Sequence, residues 1–221
     1  MKINIAIDGP SAAGKSSVAD ILATKLGYTH LDTGAMYRAV ALKAKEENIA
    51  EDDEESIVKM IEKMDLDMKP DGRVFLNGED VSLKIRTNEI SMGASNVSKL
   101  LNVRKALVSM QQKICASGGY ILDGRDIGTV VLVDAPVKIF MVASAEARAK
   151  RRVEQNKKKG IEGDDYNAIL EDIKRRDYQD SHRENSPLKQ ADDAVLIDTS
   201  DLTKNEVVEK IMSLVIEKLG D

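Results

Sequence analysis

The sequence predicts an α/β fold, a central parallel β-sheet flanked by helices, and three observations predict it. Short apolar runs at residues 3–7, 120–122, 137–142 and 194–197 are β-branched and brief enough to be buried strands. Helical patterns separate most of them, which is the alternation that builds a parallel sheet. A glycine-containing turn directly after the first run leads into Val18, Ile21, Leu22 and Leu26, which share one helical face.

Taken in order, residues 3–7 alternate as a strand does, and the loop and helix follow. Residues 28–31 form a second strand candidate, and from Ala35 the chain turns helical through Val40, Ala41 and Ala44 before an acidic stretch at 51–55. Between Leu66 and Val81 the turn signals Pro70-Asp71-Gly72 and Asn77-Gly78-Glu79-Asp80 flank Arg73-Val74-Phe75-Leu76, which predicts a small antiparallel meander inserted into the frame. The stretch 145–190 is strongly charged: Arg148, Lys150, Arg151, Arg152, Lys157, Lys158 and Lys159 are interrupted by the single acid Glu154. Two exposed helices joined by a turn at Gly160 are expected there. Thr203 and Glu206 make a capping box that opens an amphipathic helix carrying Val207, Val208, Ile211, Met212, Val215 and Leu219, expected to close the core.

Length and composition narrow the function classes. At 221 residues, 42% hydrophobic and 32% charged, the chain has apolar side chains enough for one compact core and too few for a membrane protein. A net charge of -5 argues against broad contact with nucleic acid or anionic membrane, so an anion site must be focal. Cys115 is the only cysteine, which excludes an intramolecular disulfide and a cysteine-based metal site and fits a reducing cytoplasm, with Cys115 itself a small buried residue. The stretch before Asp8 is too short for a signal peptide or membrane helix, so a cytoplasmic location is expected.

The segment Gly9-Pro10-Ser11-Ala12-Ala13-Gly14-Lys15-Ser16 matches G-x-x-x-x-G-K-[ST], and it stands between a predicted strand and a predicted helix. Glycines let successive N–H groups point into one concavity, Lys15 reaches the β and γ phosphates, and the Ser16 hydroxyl suits a Mg²⁺ ion. Other residues suit a second phosphate. In Asp32-Thr33-Gly34-Ala35-Met36-Tyr37-Arg38 a hydroxyl sits at a helix start with an arginine in the first turns. Asp123, Arg125 and Asp126 lie at or past the C-terminal end of an apolar strand, where open α/β sheets hold their ligands. Arg176, Asp180 and Arg183 recur at i, i+4 and i+7, so a continuous helix would present them along one face, with an ordinary salt bridge as the plainer reading.

These residues resemble the cytidylate kinase family of bacteria. The likeness runs through the phosphate loop, residues 32–38, Ile85-Arg86-Thr87, Ala94-Ser95, Val103-Arg104, residues 123–128, Ala135-Pro136-Val137-Lys138-Ile139-Phe140 and residues 176–187, nearly the whole chain. It implies a P-loop kinase fold in a single domain: a core at 1–63, 91–144 and 191–221, a nucleoside monophosphate-binding insertion at roughly 64–90 containing the meander, and a helical lid at roughly 145–190. It implies transfer of the γ-phosphoryl group of ATP, with Mg²⁺, to CMP or dCMP.

By the same resemblance Gly9 through Gly14, Lys15, Ser16 and Ser17 hold ATP, and Ser16 serves the metal. Thr33, Arg38, Asp123 and Arg125 belong to the acceptor site, with the two arginines on the acceptor phosphate. Ser95, Arg104 and Asp126 read the cytosine edge, and Arg176, Asp180 and Arg183 hold the ribose and neighbouring groups. Lid arginines among Arg148, Arg151 and Arg152 meet the transferring group, and Lys15 and Arg125 complete the catalytic set. Thr33 departs from the serine of many members; it keeps the hydroxyl and adds a methyl. A phosphate monoester is already mostly dianionic at neutral pH, so no general base is needed, and His30 and His182 are read as structural or surface residues. A monomer with small-molecule substrates is expected.

Three other readings compete: a kinase for shikimate or another nucleoside monophosphate, a GTP-dependent switch, and a nucleotide-binding regulator without turnover. The switch would want Asn-Lys-x-Asp, and the nearest string, Asn156-Lys157-Lys158-Lys159, lacks the aspartate. The regulator would have no need of a second set of phosphate-directed arginines.

Overall fold

The computed structural model describes residues 2–158 and 165–220. A parallel sheet of five strands is built from β1 (Ile5–Asp8), β2 (Thr29–Asp32), β6 (Tyr120–Gly124), β7 (Val137–Val142) and β8 (Val195–Asp198), in the order β2-β6-β1-β7-β8. Alternation along the strands sorts side chains onto two faces. Ile5, Ile7, Ile121 and Ile139 pack under α1 (Lys15–Leu26) and α8 (Lys204–Gly220). Ala6, Leu31 and Leu122 face the other way, into a core with α2 (Thr33–Glu46), α3 (Glu54–Lys63), α4 (Asn88–Val97) and α5 (Leu101–Cys115). Cys115 is buried in that second core, and burial pushes its thiol up to about 12.

The meander is present as a second, antiparallel sheet of β3 (Leu66–Met68), β4 (Val74–Leu76) and β5 (Glu79–Asp80). Asn77 and Gly78 both take positive φ, 49° and 83°, as the two-residue hairpin turn between β4 and β5 requires. The charged stretch forms α6 (Ala145–Lys158) and α7 (Tyr166–His182), which pack on each other. The predicted turn at Gly160, and Lys159 of the basic run, lie outside the described residues. The capping box at the start of α8 is made in both directions: Glu206 N–H donates to Thr203 Oγ1 at 3.3 Å, and Thr203 N–H to Glu206 Oε2 at 2.8 Å.

Three expectations need correction. The strand expected at 194–197 as a buried one is β8, which occupies the sheet edge; Val195 and Leu196 are 43% and 55% exposed and only Ile197 is buried. Apolar composition records that a strand can be buried, while strand order decides whether both its faces are covered. Arg183 is not on a continuous helix with Arg176 and Asp180, because α7 ends at His182 and Arg183 turns extended with ψ 143°. Leu219, near the end of α8, is exposed rather than part of the core.

Candidate active site

Four of the five strands carry an aspartate at their C-terminal ends, Asp8, Asp32, Asp123 and Asp198, and because the strands run parallel these ends lie together: in register, Asp8 stands beside Gly124, Asp32 beside Asp123 and Val142 beside Asp198. The loop after β1 curls with φ of 147° at Gly9, 61° at Ala12 and 99° at Gly14. A Cβ at Gly9 would stand 2.0 Å from the Met141 carbonyl oxygen, so the loop can lie against β7 only with glycine there. The first turn of α1 has no side-chain cap and no acidic residue, whereas Asp32, Asp53, Thr87 and Asp165 cap α2, α3, α4 and α7. Its free N–H groups are those that cradle an anion.

Lys15 is buried, and its Nζ donates to the Gly9 and Pro10 carbonyls at 2.8 Å each. Burial first, and then the Arg125 charge, push it down to about 7 against the pull of Asp123, Asp8 and Asp180. Ser16 is exposed and donates its proton to Asp123 Oδ2 at 2.9 Å, which leaves the hydroxyl lone pairs open to a cation. This oxygen suits Mg²⁺, which takes few protein ligands beside phosphates and water. Among the described residues, no group of three or more His, Cys, Asp or Glu is arranged to hold a metal.

Asp123 joins the halves of the site. Its side chain receives Ser16, and its backbone carbonyl accepts from the buried Thr33 hydroxyl at 2.8 Å. Arg38, two turns into α2, pairs with Asp32 at 2.7 Å. Arg125, just past β6, donates its Nε to Asp180 Oδ2 at 2.7 Å, and this guanidinium outweighs burial to hold the Asp180 carboxyl below its ordinary range. Asp180 thus pairs across the fold rather than with its own helix. Arg104 on α5 and Asp126 form a buried ion pair, Arg104 lies over the Tyr37 ring at 5.6 Å, and Arg183 Nη2 comes within 3.8 Å of Asp126 Oδ1. Ser95 is half-buried on α4, and Arg176 half-buried on α7.

The cations of this region repel one another. The Arg176 guanidinium is disfavoured first by burial and then by Arg152 and Arg125, as Lys15 is by Arg125. Four buried side-chain nitrogens among the described residues make no hydrogen bond, and three belong to arginines expected at the acceptor: Arg38 Nε, Arg104 Nε and Arg183 Nη2. Unpaired buried donors and crowded positive charge suit an anionic ligand with further acceptors.

Arg148 and Arg151 of α6 are tied to the phosphate loop and to elements beside it. Arg148 is buried and bidentate to Asp177 of α7, at 2.9 and 2.5 Å, with a third contact to the Ser11 carbonyl at 3.2 Å. Arg151 reaches the carbonyl of Thr199, the residue whose hydroxyl donates to Ala13 O at 3.1 Å. Arg148 thus joins α6 and α7 to the phosphate loop, and Arg151 joins α6 to it. Sequence reasoning missed Asp177 and Thr199, and nothing local marks either. It also passed over Asp8, whose oxygens accept from Ile127 N and Gly128 N at 2.8 and 2.7 Å and brace the turn carrying Asp126. Burial pushes Asp8 up to about 6. Its position as the last residue of a strand before the glycine loop was the available signal.

The comparisons agree with the geometry. The chain matches a family model described as cytidylate kinase over residues 5–217. It is 52% identical over 216 residues to a cytidylate kinase of Caldicellulosiruptor bescii, covering 96% of this chain and 95% of the relative. A cytidylate kinase of Bacillus subtilis is 49% identical over 220 residues, covering 98% of each. In fold, the chain is similar to shikimate kinase from Bacteroides thetaiotaomicron, with TM-score 0.50, 10% identity and 99% of each chain covered.

Proposed function

The chain belongs to the cytidylate kinase family, and from that premise we propose how its residues transfer the γ-phosphoryl group of ATP to CMP or dCMP, forming CDP or dCDP and ADP. One observation carries the reading: Lys15, Arg125, Arg152 and Arg176 crowd positive charge beside the uncapped start of α1, while Arg38, Arg104 and Arg183 hold buried unpaired donors. Donor phosphates and acceptor nucleotide would relieve both.

The attacking atom is an oxygen of the CMP phosphate, which needs no deprotonation by the protein. Catalysis is therefore positioning and charge neutralisation. The loop from Gly9 to Gly14, with Ser17 behind it, wraps the ATP phosphates, and Lys15 leaves the Gly9 and Pro10 carbonyls for the β and γ phosphates. The Ser16 oxygen would hold Mg²⁺, which when bound neutralises charge between the β and γ phosphates. Arg38 and Arg125 clamp the acceptor phosphate by charge-assisted bonds. Ser95, Arg104 and Asp126 read cytosine, and Arg176, Asp180 and Arg183 hold the ribose and neighbouring groups.

The transferring group is met from the lid, by arginines among Arg148, Arg151 and Arg152. Arg148 and Arg151 meet it only by exchanging Asp177 and Thr199 for phosphate, and otherwise hold the lid on the loop. The insertion at roughly 64–90 and the lid at roughly 145–190 close to exclude water, since an open site would hydrolyse ATP. No described helix is long and apolar enough to cross a membrane, and we take the enzyme to work as a cytoplasmic monomer on free nucleotides, not on nucleic acid. A coupled ADP-release assay over CMP, dCMP, UMP, AMP and shikimate tests the reading. Turnover of CMP and dCMP well above that of UMP, AMP and shikimate is expected; equal turnover of AMP and CMP would overturn the reading.

A further inference from the structure

His30 lies on β2, outside every motif that the phosphate chemistry used, yet it is built into the donor half of the site. Its side chain is 10% exposed and stands between two carboxylates: Nδ1 is 2.6 Å from Asp20 Oδ1 and Nε2 is 2.7 Å from Asp123 Oδ1. Asp20 is on the solvent side at 66% exposure, and Asp123 is buried at 6%. A neutral imidazole carries one donor and one acceptor, and an ionised carboxylate only accepts. Both contacts are hydrogen bonds only when both ring nitrogens carry protons. Burial by itself would push the imidazole down, but the hydrogen bonds and charges of Asp123 and Asp20 outweigh it and hold His30 up at about 10.

The consequence is carried by Asp123. With Oδ1 held by His30, the carboxylate has Oδ2 on the Ser16 hydroxyl and its backbone carbonyl on Thr33. A carboxylate is otherwise free to rotate about its terminal torsion, whose preference is broad. Asp20, His30, Asp123 and Ser16 thus form one chain of hydrogen bonds from the surface to the phosphate loop, joining β2, β6 and α1.

We propose that His30 is a positioning residue for phosphoryl transfer: held from outside by Asp20, it fixes the Asp123 carboxylate, which in turn orients the Ser16 hydroxyl. The inference rests on the reading that Ser16 serves the metal and the donor phosphates. His30 never touches substrate, and a side chain of similar volume without ring nitrogens preserves the packing but not the orientation.

The experiment uses the full chain and compares the parent with His30→Phe, His30→Gln, Asp20→Asn and Ser16→Ala. Binding of a fluorescent ATP analogue without CMP is titrated with Mg²⁺, and kcat and the CMP KM are measured separately. Losing a partner that orients a metal-directed group lowers affinity or activity by about tenfold to a hundredfold. His30→Phe should raise the Mg²⁺ midpoint and lower kcat in that range, with the CMP KM unmoved. His30→Gln should lie between it and the parent, and Asp20→Asn should move the same way by less. In the parent, the ring ¹⁵N signals of His30 should be those of a doubly protonated imidazole at neutral pH. A neutral ring, or an unmoved Mg²⁺ midpoint and kcat in both His30→Phe and Asp20→Asn, overturns the inference. If Ser16→Ala also leaves the midpoint unmoved, the donor reading fails with it; if Ser16→Ala moves it and the others do not, His30 alone is wrong. Asp20→Asn, at an exposed position, and the parent spectrum decide the matter even if His30→Phe does not fold.

Discussion

Arg104 and Asp126 face each other as an ion pair in the interior, with side chains 4% and 8% exposed, although they come from a helix and a strand end 22 positions apart. A buried pair of this kind is a weak stabilising device, because desolvation consumes most of what attraction returns. Here it is also incomplete, since Arg104 Nε has no partner and Arg183 Nη2 approaches Asp126 without bonding anything. Under the proposed function, the remaining donors of the pair are those offered to a pyrimidine edge.

Cytosine and uracil differ at position 4, an amino donor against a carbonyl acceptor, so an ionised Asp126 should attract one and repel the other. The parent is expected to favour CMP over UMP in kcat/KM. Asp126→Asn should shrink that ratio by about tenfold to a hundredfold, the worth of one hydrogen bond to a charged group, mainly through lost CMP activity. Arg104→Met should weaken both pyrimidines. An unchanged CMP to UMP ratio in Asp126→Asn would remove Asp126 from base recognition.

Arg38 and Arg125 stand beyond β2 and β6, each now paired with a carboxylate, Asp32 and Asp180. Replacing either by Met should raise the CMP KM or lower kcat by tenfold or more while ATP affinity stays within about twofold, because charge-assisted pairs to a dianion are strong ones. Calorimetric titration with each nucleotide separates the two. Lost ATP affinity with normal CMP affinity would mean that donor and acceptor halves are reversed.

Lys15→Met should abolish turnover by orders of magnitude while leaving the fold intact. Lys15 is pushed down to about 7 by burial and Arg125. Between that value and its unfolded value the unfolded chain binds the extra proton, so Lys15 makes stability rise with pH across that window. Lys15→Met should flatten the rise, as read by denaturant midpoints over the alkaline range.

His30 has the opposite sign. Its folded value, about 10, exceeds the ordinary histidine value of 6.5, so the stability it contributes is full below the unfolded value and lost as pH climbs through the folded one. The parent's advantage over His30→Phe in denaturant midpoint should be greatest in mildly acidic solution and shrink steadily toward pH 10. A constant difference across that range would mean that His30 acts through packing alone.

Much of this was legible in the chain because the signals are local. The glycine loop between β1 and α1 needs only sequence neighbours: a strand, positive-φ positions and a helix start. The Asn77-Gly78 hairpin and the Thr203 capping box are equally short-range, and so is the alternation that sends Ile5 and Ile7 to one face and Ala6 to the other. Such features are determined by backbone sterics and by the two periodicities, which any sequence displays. What only the tertiary structure decided are choices among distant partners. Strand order put β8 at the edge and exposed Leu196. Packing of α7 on α6 gave Asp177 to Arg148, and its placement beside the loop after β6 gave Asp180 to Arg125 instead of to its helical neighbours. The meeting of β2, β6 and α1 set His30 between two carboxylates. A charge carries no mark of which opposite charge it will meet, because that depends on burial and geometry set by elements far apart in the chain.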